Sequence, residues 1–248
     1  MLVKSQVKYI QSLSQKKFRD EEGVFVAEGP KIINELLAGN EATPAAVYAT
    51  TEWIKDNKSI ISDHGTETFH EISYQELERI SFLSTPNDVL AVFKKPLFDH
   101  KINPAQSLIL ALDTIQDPGN LGTIIRCADW FGISQIICNT GSADNFNPKV
   151  VQSTMASVAR IEVIYTDLIL FLADYGGVPV YAAALNGKPL SEFRSIDHGI
   201  IIVGNESKGI SEEVMAFSTD RVTIPRFGKA ESLNAAVATG IILSGFRS

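Results

Sequence analysis

Two turns near the carboxyl end carry residue types that could hold a small molecule against backbone. Gly204-Asn205-Glu206-Ser207-Lys208-Gly209 follows the apolar run Gly199–Val203, and Ile224-Pro225-Arg226-Phe227-Gly228 begins twenty residues after Gly204. Ser232-Leu233-Asn234 then opens a segment rich in small residues. Glycine lets a ligand approach the chain closely, and small-molecule sites combine apolar walls with a few fixed polar groups. Upstream, Asn120-Leu121-Gly122-Thr123-Ile124-Ile125-Arg126 places an amide and a guanidinium on one expected helix. The Gly204–Gly209 turn is not a P-loop, because no Lys-Ser/Thr pair follows Gly209. No G-x-G-x-x-G follows the strand Leu108–Leu112, although Asp113 and Gly119 stand just beyond it. These absences argue against a dinucleotide or a nucleoside triphosphate.

Each of these polar residues also has a plain structural reading. Asn120 is placed to cap its helix, with Pro118-Gly119 as the entering turn, and Ser232 is placed to cap the last helix. Asn234 would then fall inside a first turn, where propensity gives it little to do. Arg126 projects away from the apolar face of Leu121, Ile124, Ile125 and Ala128, and from the helix alone a solvated charge is the simpler account. Glu206 on its own is an exposed loop carboxylate. Ile224 and Leu233 offer apolar walls for a flat ring, and Ala184-Leu185 closes the strand expected from Val178.

Taken in order, the Asn120–Arg126, Gly204–Gly209 and Ile224–Asn234 segments resemble the three signature motifs of the SpoU-type (TrmH) RNA 2′-O-ribose methyltransferases, a branch of the SPOUT enzymes. The resemblance implies S-adenosylmethionine as cofactor, contacted by Ala184, Leu185, Gly204, Ile224 and Leu233. It implies a catalytic set of Arg126, Asn120, Glu206, Ser232 and Asn234, with Glu206 as an organiser of the site. It also implies a parallel-sheet α/β domain with a deep trefoil knot, and a homodimer formed through that domain. The chain departs from many family members in having Ala235-Ala236 after Ser232-Leu233-Asn234, where Val and Ser are common. Lys17 to Gly29 resembles the start of the family's N-terminal RNA-recognition domain, a small α/β domain with a ribosomal-protein-like fold.

Methyl transfer to a ribose hydroxyl is an in-line displacement by a weak nucleophile, which calls for alignment and help in losing the proton. Family proposals make the arginine the base. Guanidinium groups do not normally deprotonate in proteins, so the chemistry favours Arg126 as a bidentate phosphate clamp that also stabilises the developing alkoxide.

The elements that must position these residues follow from hydrophobic period. Strands at Leu108–Leu112, Gln135–Cys138, Val178–Ala183, Ile200–Val203 and Arg221–Ile224 alternate with helices. The helices are expected at Asn120–Phe131, around Pro148–Ser157, at Asp167–Tyr175, at Ser211–Phe217 and from Ser232 to Phe246. Short apolar strands between helices predict a parallel sheet covered on both faces. The first part reads as a Lys-rich helix over 4–19 with Val7, Ile10 and Leu13 inward. A strand at Val24–Ala27, a helix at Pro30–Leu37, a strand at Ala46–Ala49, a helix at Tyr74–Ile80 and a strand at Val89–Phe93 follow. Residues 1–95 therefore form an expected RNA substrate-binding domain, 96–105 a linker, and 106–248 the methyltransferase domain.

With 45% hydrophobic and 21% charged residues, the 248-residue chain has the composition of a globular protein. No apolar run is long enough for a membrane span, and the start lacks a signal-peptide pattern. A cytoplasmic protein is expected, with no membrane and no metal. Cys127 and Cys138 read as reduced packing residues, and the four histidines show no ligand spacing. The net charge of −7 alone opposes a nucleic-acid partner, yet residues 1–19 carry Lys4, Lys8, Lys16, Lys17 and Arg19 with no acidic residue. Local patches decide phosphate binding, although a solvated basic helix face explains the run equally well. The resulting reading is a ribose methyltransferase acting on RNA, ribosomal RNA first and transfer RNA as the alternative. Its rival is a non-catalytic RNA-binding assembly factor on the same scaffold.

Overall fold

The first half of the chain contains the elements its hydrophobic periods predict, with one helix split in two and further elements between residues 51 and 71. A computed structural model describes every residue except Met1, Asn40, His100, Arg194, Glu206 and Ser248. Helix α1 (Lys4–Ser12) buries Val7 and Ile10, and the helix expected to continue to residue 19 breaks after Leu13. A second helix, α2 (Lys16–Glu22), starts after Gln15 and ends at Gly23 with φ +64°, a left-handed cap that favours glycine. Arg19 explains the break, since its Nη1 donates to the carbonyls of Leu13 (2.7 Å) and Ser14 (2.8 Å). Next come β1 (Val24–Glu28), α3 (Pro30–Ala38), β2 (Pro44–Ala49), α4 (Thr51–Asp56), α5 (Lys58–His64), β3 (Phe69–Glu71), α6 (Tyr74–Glu78) and β4 (Val89–Lys94).

The second half contains β5 (Leu108–Asp113), α7 (Pro118–Trp130), β6 (Gln135–Asn139), α8 (Pro148–Thr154), β7 (Glu162–Thr166), α9 (Leu168–Asp174) and β8 (Val180–Pro189). It continues through β9 (Gly199–Gly204), α10 (Glu212–Met215), β10 (Asp220–Thr223) and α11 (Ala235–Phe246). The described chain divides into two compact units. One comprises residues 1–97 and 146–160, the other 98–145 and 161–248. Thus α8, which lies within the stretch read from sequence as the second domain, is grouped with the first unit.

In the first unit a four-stranded sheet has the order β1-β4-β2-β3. It is antiparallel except between β2 and β3. Successive side chains of β1 point to opposite faces. Phe25 and Ala27 pack with Ile33, Leu36 and Val151 of α8, while Val24 and Val26 pack with Ile10 and Leu13. Fully burying each such Leu or Ile contributes roughly 2 kcal/mol, so covering both faces is what makes this small sheet stable.

The second unit is a six-stranded sheet of order β10-β8-β9-β5-β6-β7, parallel throughout. Strand β5 is buried along its whole length, as its unbroken apolar sequence requires of a central parallel strand. Ile109 and Ala111 meet Phe171, Leu172 and Val214 on one face. The α/β class with a parallel sheet is therefore as expected. In parallel sheets ligands bind beyond the carboxyl ends of the strands, and those ends carry the candidate site.

Candidate functional site

Asn120 and Asn234, 114 residues apart, join two helix starts. Helix α7 begins with Pro118, and its cap is Asp117, whose carboxylate accepts from the Asn120 N–H at 2.8 Å. Asn120 is therefore the third residue of the helix and not its cap, because Asp117 holds that position with Pro118 preset for the first turn. Helix α11 is capped by Asn234, whose Oδ1 accepts from the N–H groups of Ala236 (2.9 Å) and Val237 (3.3 Å). Ser232 is accordingly not the cap; it lies two residues ahead in an exposed irregular segment. With its oxygen fixed by capping, Asn234 turns its amide outward, and Nδ2 donates to Asn120 Oδ1 at 2.7 Å.

A second network fixes the loop after β9. Asp113 is only 4% exposed. Its carboxylate accepts from the Ser211 N–H (2.8 Å), the Ser211 hydroxyl (2.7 Å), Asn139 Nδ2 (3.3 Å) and the Thr114 hydroxyl (3.2 Å). Burial alone would raise its pKa; the bonds from Ser211, Asn139 and Thr114 outweigh that and hold it below the usual carboxylate range. Asn205 Nδ2 donates to the Thr114 carbonyl at 3.0 Å, and Asn205 and Gly209 exchange backbone bonds of 3.0 and 2.8 Å. A Cβ on Gly204 would lie 2.2 Å from the Gly209 carbonyl carbon. The sequence reading gave Gly204 to ligand approach, but the first thing a side chain there would strike is the loop's own backbone. Glu206, expected to organise the site, lies outside the described residues.

The expected cofactor residues sit along β8, β9 and β10. Pairing of β10 with β8 jumps from Arg221↔Ala182 to Val222↔Lys188, so residues 183–187 form a bulge on β8. Ala184 and Leu185 lie in this bulge and do not end a strand, since β8 runs on to Pro189. The Thr223 hydroxyl donates to the Leu185 carbonyl at 3.2 Å, which ties the bulge to the end of β10 beside Ile224. Gly204 pairs with Asp113 at the ends of β9 and β5. Leu185 is 78% exposed and Leu233 is 44% exposed. Leu185 in the bulge and Leu233 ahead of α11 are thus exposed apolar side chains of the kind that wall a flat ring in a small-molecule site.

Arg126 is exposed on α7 and makes no hydrogen bond or ion pair among the described residues. The structure thus joins Asn120 to Asn234 but does not hydrogen-bond Arg126 or Ser232 to either. Helix α7 packs against α11, with Cys127 Sγ 3.6 Å from where a Cβ on Gly240 would sit. Between them lies a groove of about 410 Å³ walled by Thr123, Cys127, Ala236, Val237, Gly240 and Ile241.

The expected RNA face needs one correction. Lys4, Lys8, Lys16 and Lys17 are exposed on α1 and α2, and Lys17 meets Glu21 at 3.8 Å in a largely solvated pair worth little. Arg19 is 1% exposed and spends its guanidinium on the Leu13 and Ser14 carbonyls. It is a buried structural group, not an RNA contact.

Sequence reading missed Asp113, Asn139, Asn205 and Ser211 as a unit. The available signal was a carboxylate ending an otherwise apolar strand, which costs free energy unless donors meet it. Both cysteines are free, and burial pushes the Cys138 thiol up to about 12. Among the described residues no cluster of three or more His, Cys, Asp or Glu could hold a metal ion, and no helix is long and apolar enough to cross a membrane.

A family model described as the SpoU rRNA Methylase family matches residues 107–244, and one described as an MRM3-like substrate binding domain matches residues 4–91. The 23S rRNA (guanosine(2553)-2′-O)-methyltransferase RlmP of Bacillus subtilis is 33% identical over 245 residues, covering 97% of this chain and 95% of its own length. A TrmH-family protein from Porphyromonas gingivalis superposes with a TM-score of 0.86 at 38% identity, covering 100% of this chain and 98% of its own. The AdoMet-bound rRNA methyltransferase from Sinorhizobium meliloti gives 0.84 at 30% identity, covering 99% and 95%.

Proposed function

This chain belongs to the SpoU rRNA methylase family, and from that premise we propose that it transfers a methyl group from S-adenosylmethionine to a ribose 2′-hydroxyl of ribosomal RNA. The observation that carries the reading is the Asn234–Asn120 bond, which sets the end of the third motif against the start of the first. S-adenosylmethionine supplies an electrophilic methyl group when bound. Leu185, Ile224 and Leu233 wall its adenine, and the Gly204 turn leaves backbone beside it, held from behind by Asp113. Asn234 and Asn120 fix the two helix starts, so that polar groups meet the substrate without first reorganising. Arg126, without an ion pair among the described residues and always cationic, clamps the phosphate beside the target ribose and stabilises negative charge growing on the 2′-oxygen. Ser232 and Glu206 complete the set by family resemblance.

Three finer features belong to the same reading. The second unit carries the trefoil knot of the SPOUT enzymes. Residues 1–95, with a ribosomal-protein-like α/β fold, present the RNA through Lys4, Lys8, Lys16 and Lys17; residues 96–105 link them to the catalytic domain 106–248. Two copies associate through α7 and α11, where small and half-exposed apolar residues (Val237, Gly240, Ile241) leave a groove that a second helix pair would fill. The cytoplasm is the compartment that fits a ribosomal RNA substrate.

Calorimetric titration with S-adenosylmethionine, followed by methyl transfer to ribosomal RNA and mapping of 2′-O-methyl positions, tests this reading. Saturable binding with a mapped ribose methyl supports it. Absence of cofactor binding would instead favour an assembly factor built on the same scaffold.

A further inference from the structure

Within the first unit, a cleft of about 230 Å³ opens between the sheet, the 81–83 turn and α8. Val26, Phe82, Leu83 and Pro148 make it largely apolar, Gln152 and Ser153 line one side, and two charged groups of opposite sign belong to it: Glu28 and Lys149. Glu28 is 5% exposed. It accepts from the Phe82 N–H at 2.8 Å and from the Ser81 hydroxyl, and it has no cation partner among the described residues. A carboxylate offers about four acceptor positions, so these two bonds leave acceptor capacity in the cleft. Burial raises its pKa, only partly offset by the bonds from Ser81 and Phe82. A buried carboxylate without a cation is costly, and the cost is unexplained by the two turn bonds alone. Lys149 is exposed and likewise makes no ion pair among the described residues.

The volume lies below the roughly 300–1,000 Å³ of sites that enclose a whole drug-sized ligand, so it suits one planar ring system with its attachment point outside. Apolar walls with an aromatic edge suit a nucleobase. The carboxylate then discriminates among bases. Only guanine presents two adjacent donors, N1–H and N2–H, along its Watson–Crick edge. Adenine and cytosine place a ring acceptor beside their amino group, and uracil flanks its single N–H with carbonyls; each would set an acceptor against the carboxylate. Lys149 at the rim suits the phosphate of the same nucleotide.

We propose that this cleft docks a single unpaired guanine of the RNA substrate, with Glu28 accepting from its N1–H and N2–H and Lys149 meeting its phosphate. The inference rests on the methyltransferase reading above and deepens it. The docked guanine is an anchor; the methylated ribose engages Asn120, Arg126 and Asn234, which belong to the other unit.

The test uses the full chain and short single-stranded oligoribonucleotides of adenine, with guanine, inosine or adenine at one central position, read by fluorescence anisotropy. Guanine should bind at least about fivefold more tightly than adenine, and inosine, lacking the 2-amino group, should fall between. Glu28→Gln should abolish the preference and leave affinity for the all-adenine strand unchanged. Leu83→Trp, which fills the cleft without touching the carboxylate, should do the same, and it decides the matter if Glu28→Gln folds poorly. Equal affinity of the wild type for guanine and adenine strands overturns the proposal, as does a preference that survives Leu83→Trp. S-adenosylmethionine titrated into the same samples separates the two ideas. A protein that binds cofactor and RNA without guanine preference refutes only the cleft, whereas one that binds neither refutes the methyltransferase reading itself.

Discussion

Asn234 spends its oxygen on the N–H groups of Ala236 and Val237 in the first turn of α11 and its amide on Asn120, 2.7 Å away. One side chain thus starts a helix and fixes that start against another helix. Substitution can separate the two jobs. Asn234→Asp keeps the capping oxygen, which ranks with Asn as a cap, but turns an oxygen towards Asn120 Oδ1. It should melt within a few degrees of wild type yet lose roughly tenfold or more in kcat/KM. Asn234→Ala should lose both, with about 1 kcal/mol of stability gone. Paired melting curves and methyl-transfer assays check this; an Asp variant with wild-type turnover would mean the amide contact is structural only.

Arg126 makes no hydrogen bond or ion pair among the described residues. Arg126→Ala should therefore leave the melting temperature and cofactor affinity unchanged while reducing kcat by about 10²–10³. Calorimetry and single-turnover kinetics read the two effects separately. Full activity in this variant would remove the guanidinium from the mechanism.

Acid sensitivity should trace to Asp113. Its folded pKa lies below the unfolded value of about 3.9. The stabilisation it contributes is therefore fully present above that pH and is lost as pH falls through the folded pKa. Asp113→Asn sets an amide against the Ser211 donors and should cost roughly 1–3 kcal/mol at neutral pH. Below about pH 4 its melting temperature should decline less steeply than that of wild type. Parallel pH profiles for the two proteins would rule out this linkage.

The basic amino terminus should split into two kinds of residue. Charge reversal of Lys4, Lys8, Lys16 and Lys17 should weaken RNA binding and flatten its dependence on salt, with no change in cofactor affinity. Arg19→Ala should instead destabilise the fold by roughly 1–3 kcal/mol, because the Leu13 and Ser14 carbonyls lose a buried charged donor. Salt-dependent binding isotherms and urea titration distinguish these outcomes. Unaltered RNA affinity after charge reversal would leave the solvated-face account of the lysines.

The elements best read from sequence were those whose apolar period is complete. Leu108–Leu112 announced a central parallel strand, and Val7, Ile10 and Leu13 announced an inward helix face. Helices α4 and α5 escaped because Thr51 to His64 is mostly polar, with Trp53, Ile54, Ile60 and Ile61 its only large apolar residues. Strand β7 escaped because every one of its side chains is half-buried, which gives no alternation to read. At the site the residue types were legible and their jobs were not. Ser232 and Asn234 both suit a helix cap, and it is Asn234 that directly precedes the first helical residue and caps it. Arg19 has the composition of a surface charge; only the turn at Leu13 and Ser14 draws it inside.

The segment 146–160 has a practical consequence for anyone dissecting this protein. It belongs to the first unit, while the chain on either side of it belongs to the second. A fragment starting at residue 98 would carry Val151, fully buried in the intact chain, into water without the core formed by Phe25 and Ile33. A fragment ending at residue 97 would lack that covering altogether. Neither half is autonomous as a simple genetic truncation, and sticky, poorly expressing pieces would say nothing about what the whole molecule does.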